Sequence, residues 1–491
     1  MTAARILAVW LTPVVWLALP ALVVDGGPDG LWAGLVLVVA PLLVLDAARE
    51  RAVPGGRDTL FSVVVLLLVV GLLLWANLAL AADVAAWLGR PRWHGIATAA
   101  AGAWLLVVWP GARRLVPWLL VSAFVAGLVP MLVLAGDARV GPLGAWGRLA
   151  SQPAFRFPVG SPWVVEGRDL HQARGQTLLI FDEEHRVTAV TPATLHVRAR
   201  DGARVSDTDW ELRAGQAVTL RPGDELTWSP GARLRFEPGK AVPGAPHSGI
   251  AWADGRRGDA SRHWGLLLTL VLGAAALLGF GTTTRMSRRG VALCGTGLVA
   301  VFAWGLAWAI YCALGAPDIF LGGVSIERLM RPPSLPRGAG SGGRILAALL
   351  PLAGLASFLA SSVALRERLG ALDVTGGGEI GHDLGLWSAI LGAAALASLW
   401  PADPWLITLW ALGLAASSLA PAVLWPAAAN RPSVATVAGL VGLIVFAALA
   451  AVGRWAGAPE GWPSLVLAFP AVAAAPAGAL VLRLAGRAGT G

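Results

Sequence analysis

Long apolar runs separated by short polar joints fill most of this chain, and one extended polar stretch interrupts them. Runs of seventeen to twenty-five mostly apolar residues, enough to cross roughly 30 Å of hydrocarbon as helix, recur twelve times. They fall at about 6–24, 31–48, 59–82, 95–111 and 115–135, then at about 264–281, 290–314, 344–365, 384–401, 405–428, 434–453 and 464–483. Residues 136–263 differ. They carry short β-type runs, Thr177-Leu-Leu-Ile-Phe181, Thr194-Leu-His-Val-Arg198, Ala217-Val-Thr-Leu220 and Arg233-Leu-Arg-Phe236. Turn signals separate these runs: Asp201-Gly202, Pro222-Gly223-Asp224, Pro230-Gly231 and Pro238-Gly239. The pattern predicts an all-α polytopic membrane protein of about twelve transmembrane helices with a small all-β domain inserted. Helices one to five occupy 1–135, the β domain 136–263, helices six to ten 264–428, and helices eleven and twelve with the C-terminal tail 429–491.

Composition agrees: 56% hydrophobic and only 14% charged residues over 491 positions exclude an ordinary soluble protein. The first apolar run follows only Arg5 and lacks a small-residue cleavage site, so it reads as a retained helix rather than a signal peptide. The net charge of +9 does not point to nucleic acid, because the basic residues are nearly all Arg, with Lys240 the single Lys, and many sit in short loops. Alternate loops hold Arg49, Arg51 and Arg57, then Arg113 and Arg114, then Arg285, Arg288 and Arg289, then Arg366 and Arg368, then Arg431. By the positive-inside rule those loops and both termini are cytoplasmic, which places residues 136–263 in the periplasm of a Gram-negative cell and the chain in the inner membrane. The segment 315–343, with Arg328, Arg331 and Arg337, is the exception to that pattern. Cys294 and Cys312 share one apolar run, roughly 27 Å apart along a helix, beyond disulfide reach.

The apolar runs hold almost none of the ionisable groups that pumps, haem proteins or voltage sensors keep at membrane depth. All seven histidines lie in loops, in the polar segment or at helix edges. No catalytic or metal site is assigned, and no enzyme activity is expected. Asp182-Glu-Glu-His185 with His171 and His196 has no zinc spacing and reads as a charged turn. Gly338 to Gly343 and Gly376 to Gly378 lack the Lys-Ser/Thr of a phosphate loop. What remains at depth are hydroxyls and the Asn77 amide. Most such hydroxyls bond their own helix or a neighbour. Ser357, Ser361 and Ser362 stand out because the first two share one helix face. Deep tryptophans such as Trp10, Trp16, Trp304 and Trp308 read as packing.

The order of segments resembles the sodium:solute symporter family, its acetate/cation symporter branch in particular. Ala21-Leu-Val-Val-Asp-Gly-Gly-Pro-Asp-Gly-Leu31 running to Arg49-Glu-Arg51 looks like the stretch that links that branch's first and second core helices to a charged loop. Leu105-Leu-Val-Val-Trp-Pro-Gly-Ala-Arg-Arg114 is similar to its turn before the fifth helix. Leu352-Ala-Gly-Leu-Ala-Ser-Phe-Leu-Ala-Ser-Ser-Val-Ala364 resembles the eighth, and Leu412 to Leu424 with Asn430 to Leu443 the tenth and eleventh. The resemblance covers about 1–135 and 264–486. It implies a LeuT-type fold, two inverted five-helix repeats plus two further helices, with substrate and sodium midway across the membrane where the first and sixth helices break. Thr12-Pro13 and Gly279 to Thr284 are the available breaks. The sequence departs from the family at Val9, where an acidic residue is usual, and at Pro351 and Leu352, in place of an ion-binding hydroxyl pair.

The resulting expectation is a carrier that takes up a small organic solute, a monocarboxylate such as acetate, by alternating access, with sodium as the one ion implied and no other cofactor. Thr12, Ser357, Ser361 and Ser362 are the candidate substrate- or ion-binding residues. The alternative is a non-transporting relative that acts as a sensor or complex subunit through its periplasmic domain. Partners are the lipid bilayer, the solute, and a small membrane subunit or periplasmic protein, with no nucleic acid.

Overall fold

A computed structural model describes residues 3–50, 60–88, 90–109, 111–157, 163–166, 179–201, 204–229, 231–254, 260–279, 287–315, 320, 340–370, 378–400, 403–424, 432–455 and 466–488. The first apolar run is not one helix. It folds as α1 (Ala3–Trp10) and α2 (Pro13–Gly26), bent by 62° at Leu11-Thr12. Pro13 is the cause: it has no N–H for the carbonyl four residues back, and its ring pushes Thr12 out of the helical region, to φ −64 and ψ 157. Then follow α3 (Pro28–Glu50), α4 (Leu60–Trp87), α5 (Arg92–Val108) and α6 (Val116–Ala138).

After the β domain come α9 (Ala260–Gly279), α10 (Arg288–Gly315), α11 (Gly340–Gly370), α12 (Gly378–Leu399), α13 (Pro404–Ser418), α14 (Ala420–Leu424), α15 (Pro432–Trp455) and α16 (Ala471–Ala488). Five described helices are long and apolar enough to cross a membrane, six if the bent pair is one span, and five shorter helices are also apolar. Their burial is uneven. The span in α4 has mean hydropathy 2.8 and is 61% buried, whereas those in α6 and α15, at 2.4 and 2.5, are only 22% and 17% buried. Trp118, Val121, Val125 and Leu132 on α6, and Val437, Leu440, Ile444 and Val452 on α15, face outward. Apolar surface on that scale is a lipid-facing surface, and the chain is a helix-rich, membrane-embedded protein carrying a small β region.

The helices interlock in a definite pattern. Helix α3 packs on α9, and α2 on α10; α4 packs on α13, and α6 on α11; α4 also meets α12, and α5 meets α11. Helix α1 touches α6, while α13 lies along α9. Arg5 at the start of α1 pairs with Glu367 near the end of α11 at 3.2 Å, so those two ends lie on one side of the bundle. The opposite side receives the β domain.

Between α6 and α9, two short helices, α7 (Pro142–Ala150) and α8 (Gly249–Ala253), form the stem of that domain. Trp252 Nε1 of α8 donates to the Val24 carbonyl of α2 at 3.2 Å, and the Tyr311 hydroxyl of α10 donates to the Val140 carbonyl at 2.9 Å. The stem thus caps the ends of α2, α6 and α10 together. Beyond it, eight strands make two antiparallel four-stranded sheets with orders β1-β8-β3-β6 and β2-β7-β4-β5. The strands are β1 (Trp163–Glu166), β2 (Leu179–Ile180), β3 (His185–Ala189), β4 (Ala193–Asp201), β5 (Arg204–Leu212), β6 (Ala217–Leu220), β7 (Glu225–Trp228) and β8 (Arg233–Phe236). Phe157, Phe181, Leu195, Leu226, Trp228, Leu234 and Phe236 are buried in its core.

The expected strands at 177–181, 194–198, 217–220 and 233–236 correspond to β2, described from Leu179, β4, β6 and β8; β1, β3, β5 and β7 are additional strands of the same domain. The expected tenth run, 405–428, turns at Leu419 and is described only to residue 424. The second expected break runs past Gly279 into residues outside the described ones, as do His171, Arg328, Arg331, Arg337 and Gly376 to Gly377. Cys294 and Cys312 are both buried in α10 and neither is in a disulfide.

Candidate functional site

The bend in the first span exposes backbone that a continuous helix would satisfy. Thr12 N–H turns back to the Trp10 carbonyl at 2.9 Å. The Leu11 carbonyl accepts from the Ser357 hydroxyl of α11 at 2.8 Å. Val14 N–H points at Asn77 Oδ1 of α4 at 3.4 Å, while Asn77 Nδ2 donates to its own helix at Leu73, 2.6 Å away. Trp10 Nε1 donates to the Leu37 carbonyl of α3 at 2.8 Å. Three helices therefore hold the break by polar groups, as non-helical backbone inside a membrane protein requires.

Two of the four sequence candidates come together here. The Thr12 hydroxyl is buried beside the break and has no hydrogen-bond partner among the described residues, and Ser357 reaches the adjacent carbonyl. The other two do not join them. Ser362 donates to the Phe358 carbonyl of its own helix at 2.9 Å, and Ser361 is buried one turn beyond Ser357. Thr408 and Ser417 likewise bond carbonyls of their own helix. Asn77, the one amide at depth in α4 and not among the sequence candidates, is the side chain that meets the start of α2. Its isolation within an apolar 28-residue helix was the signal.

Two cavities flank the break. One, of about 240 Å³, is lined by Leu11, Trp16, Phe124, Val301, Trp304 and Ser357 among others. Its wall holds Trp16 and Trp304, tilted against each other with ring centres 4.7 Å apart; Trp308 stacks behind Trp304 at 6.0 Å, and Trp304 Nε1 donates to the Gly127 carbonyl of α6 at 3.0 Å. Trp16 Nε1 is buried and without a partner among the described residues. The second cavity, of about 270 Å³, runs from Pro13, Asn77 and Phe358 along α4, α5 and α11 to Arg90 and His94.

In the β domain, Asp182 to His185 serves structure. Glu183 Oε1 accepts from Ala241 N–H at 2.5 Å and pairs with Arg156 at 3.5 Å. His185 is buried among Phe157, Phe181 and Phe236, with ring centres 5.4–5.7 Å away. Its Nε2 accepts from Glu237 N–H at 3.2 Å, so Nδ1 carries the proton, and that atom has no partner among the described residues. Burial holds its pKa down, to about 4. Among the described residues no cluster of three or more His, Cys, Asp or Glu is arranged to hold a metal.

No family model, curated protein or solved structure matches the chain.

Proposed function

We propose that this chain is a carrier of LeuT-type architecture that moves a small organic solute across the cytoplasmic membrane by alternating access. The observation that carries this reading is the broken first span, with a Thr12 hydroxyl unpaired among the described residues and backbone held by Ser357 and Asn77 between two cavities. Broken helices lined by cavities are how carriers present carbonyls and hydroxyls to a solute at mid-membrane.

Helix packing supports the reading. Numbering α1/α2, α3, α4, α5 and α6 as spans one to five and α9 to α13 as six to ten, several of the packing pairs recur when five is added or subtracted. The one–seven contact mirrors six–two, three–ten mirrors eight–five, three–nine mirrors eight–four, and five–one mirrors ten–six. That reciprocity is what two repeats of opposite topology would produce. A monocarboxylate is the proposed solute, as in the symporter family the sequence resembles. Pro351 and Leu352 offer no side-chain ligand for sodium. The topology proposed puts both termini in the cytoplasm and the β domain in the periplasm.

The test is uptake by purified protein in liposomes, with labelled acetate and related monocarboxylates, with and without a sodium gradient. Flux above empty liposomes that falls in Thr12→Val and Ser357→Ala is expected; flux equal to empty liposomes across the panel overturns the proposal. A second reading, a sensor or complex subunit, is favoured by the bond from Trp252 in the stem to Val24 at the end of α2. It predicts ligand or protein binding by the periplasmic domain without flux.

A further inference from the structure

The cavity that ends at Arg90 and His94 has a graded lining. Its inner end is Pro13 and Asn77 beside the break, its walls are Leu80, Val84, Leu355 and Phe358, and its rim is Arg90 and His94. Asn77 lies ten residues before the end of α4 at Trp87, roughly 15 Å at a helical rise, and Arg90 follows just beyond that end, its N–H bonded back to the Ala85 carbonyl at 2.8 Å. Among the described residues no Asp or Glu lines it. Neighbouring Arg92 is already paired with Asp83 at 2.5 Å, whereas Arg90 is exposed and has no carboxylate within ion-pair distance among the described residues. The first turn of the 17-residue α5 begins at the same rim, adding N–H groups that favour negative charge.

A long apolar trough with a cation at one end is complementary to an amphipathic anion. We propose that this cavity binds a single-chain aliphatic anion, its carboxylate or phosphate at Arg90 and His94 and its chain lying between α4, α5 and α11 toward Asn77. A two-carbon acid would engage the rim and leave the apolar walls uncovered. The chain lengthens the contact, and each added pair of methylenes strengthens binding roughly tenfold until the trough is full. The shared chemistry, an anionic head on an aliphatic chain, belongs to free fatty carboxylates and to anionic lipids alike. This site is defined by binding and does not depend on whether the protein transports.

The experiment is equilibrium binding of labelled dodecanoate to the full chain in phosphatidylcholine nanodiscs, with empty nanodiscs correcting for partition into lipid. Saturable binding is expected, tightening through the series butyrate, octanoate and dodecanoate. Arg90→Gln should weaken it at least tenfold, with recovery in Arg90→Lys, and Thr98→Phe should weaken it by filling the trough from an exposed position. Affinity that is flat across chain length, or unchanged in both Arg90→Gln and Thr98→Phe, overturns the proposal. Phosphatidylglycerol in the nanodisc separates the sources. Displacement of dodecanoate identifies a lipid as an occupant, and undiminished binding identifies the free carboxylate; both support the site. Failure of this binding leaves the uptake test untouched, and failure of uptake leaves this binding intact.

Discussion

Acid should loosen the β domain through one residue, His185. Its imidazole lies among three phenylalanine rings, with Nε2 bonded to Glu237 N–H and Nδ1–H meeting no acceptor among the described residues. Burial lowers the folded-state pKa from 6.5 to about 4. The unfolded chain therefore binds this proton first, and folded stability falls as pH drops through 6.5, levelling off below 4. At 1.36 kcal/mol per unit, the full loss is about 3 kcal/mol, of which about 2 kcal/mol has gone by pH 5. His185→Gln keeps an acceptor for Glu237 N–H and does not titrate. It should lower stability at neutral pH and remove that part of the acid slope. Hydrogen–deuterium exchange of peptides spanning β3 and β8 in the full chain, at pH 7.5, 6, 5 and 4 and corrected for intrinsic exchange, gives the local opening free energy. The wild-type minus variant difference should change by about 2 kcal/mol between pH 7.5 and 5. A difference that stays constant with pH would refute the reasoning.

Other expectations follow from particular contacts. Ser357→Ala leaves the Leu11 carbonyl without its donor and should cost about 1 kcal/mol in thermal unfolding of the detergent-solubilised protein, with Ser357→Thr milder. Gly442→Ala places a Cβ 2.1 Å from the Ser417 carbonyl, where α15 crosses α13, and should destabilise by about 1–3 kcal/mol; Gly392→Ala, with open space around it, should melt like wild type. A double-mutant cycle on Arg5 and Glu367, both partly exposed, should return a coupling of about 0.5 kcal/mol that fades with salt; a larger, salt-independent value would mean the pair is shielded in the membrane.

The apolar runs were legible because hydropathy is a one-dimensional property: a span needs no knowledge of its neighbours to be seen. Pro13 made the break legible too, since its effect is local. The strands were half legible. β4 and β8 alternate buried and exposed positions, but β5, Arg-Val-Ser-Asp-Thr-Asp-Trp-Glu-Leu, is an edge strand with polar residues exposed on both faces and no alternation to detect. β3 begins at the His185 that closes an acidic turn, and its burial depends on phenylalanines far away in sequence. The same limit applies to the site. Ser357 was singled out for sharing a helix face with Ser361, yet its role comes from a carbonyl 346 residues away. Arg90 and His94 look like ordinary loop residues until α5 is placed against α11.

Access to the break from both sides of the membrane decides the central claim. With Cys294 and Cys312 replaced by Ala, Thr12→Cys would be exposed to a membrane-impermeant thiol reagent from either face in oriented vesicles. Alternating access predicts slow labelling from both faces, because the position is buried here and opens to each side in turn. Labelling from one face only, or from neither, would contradict a carrier built around the bent first span.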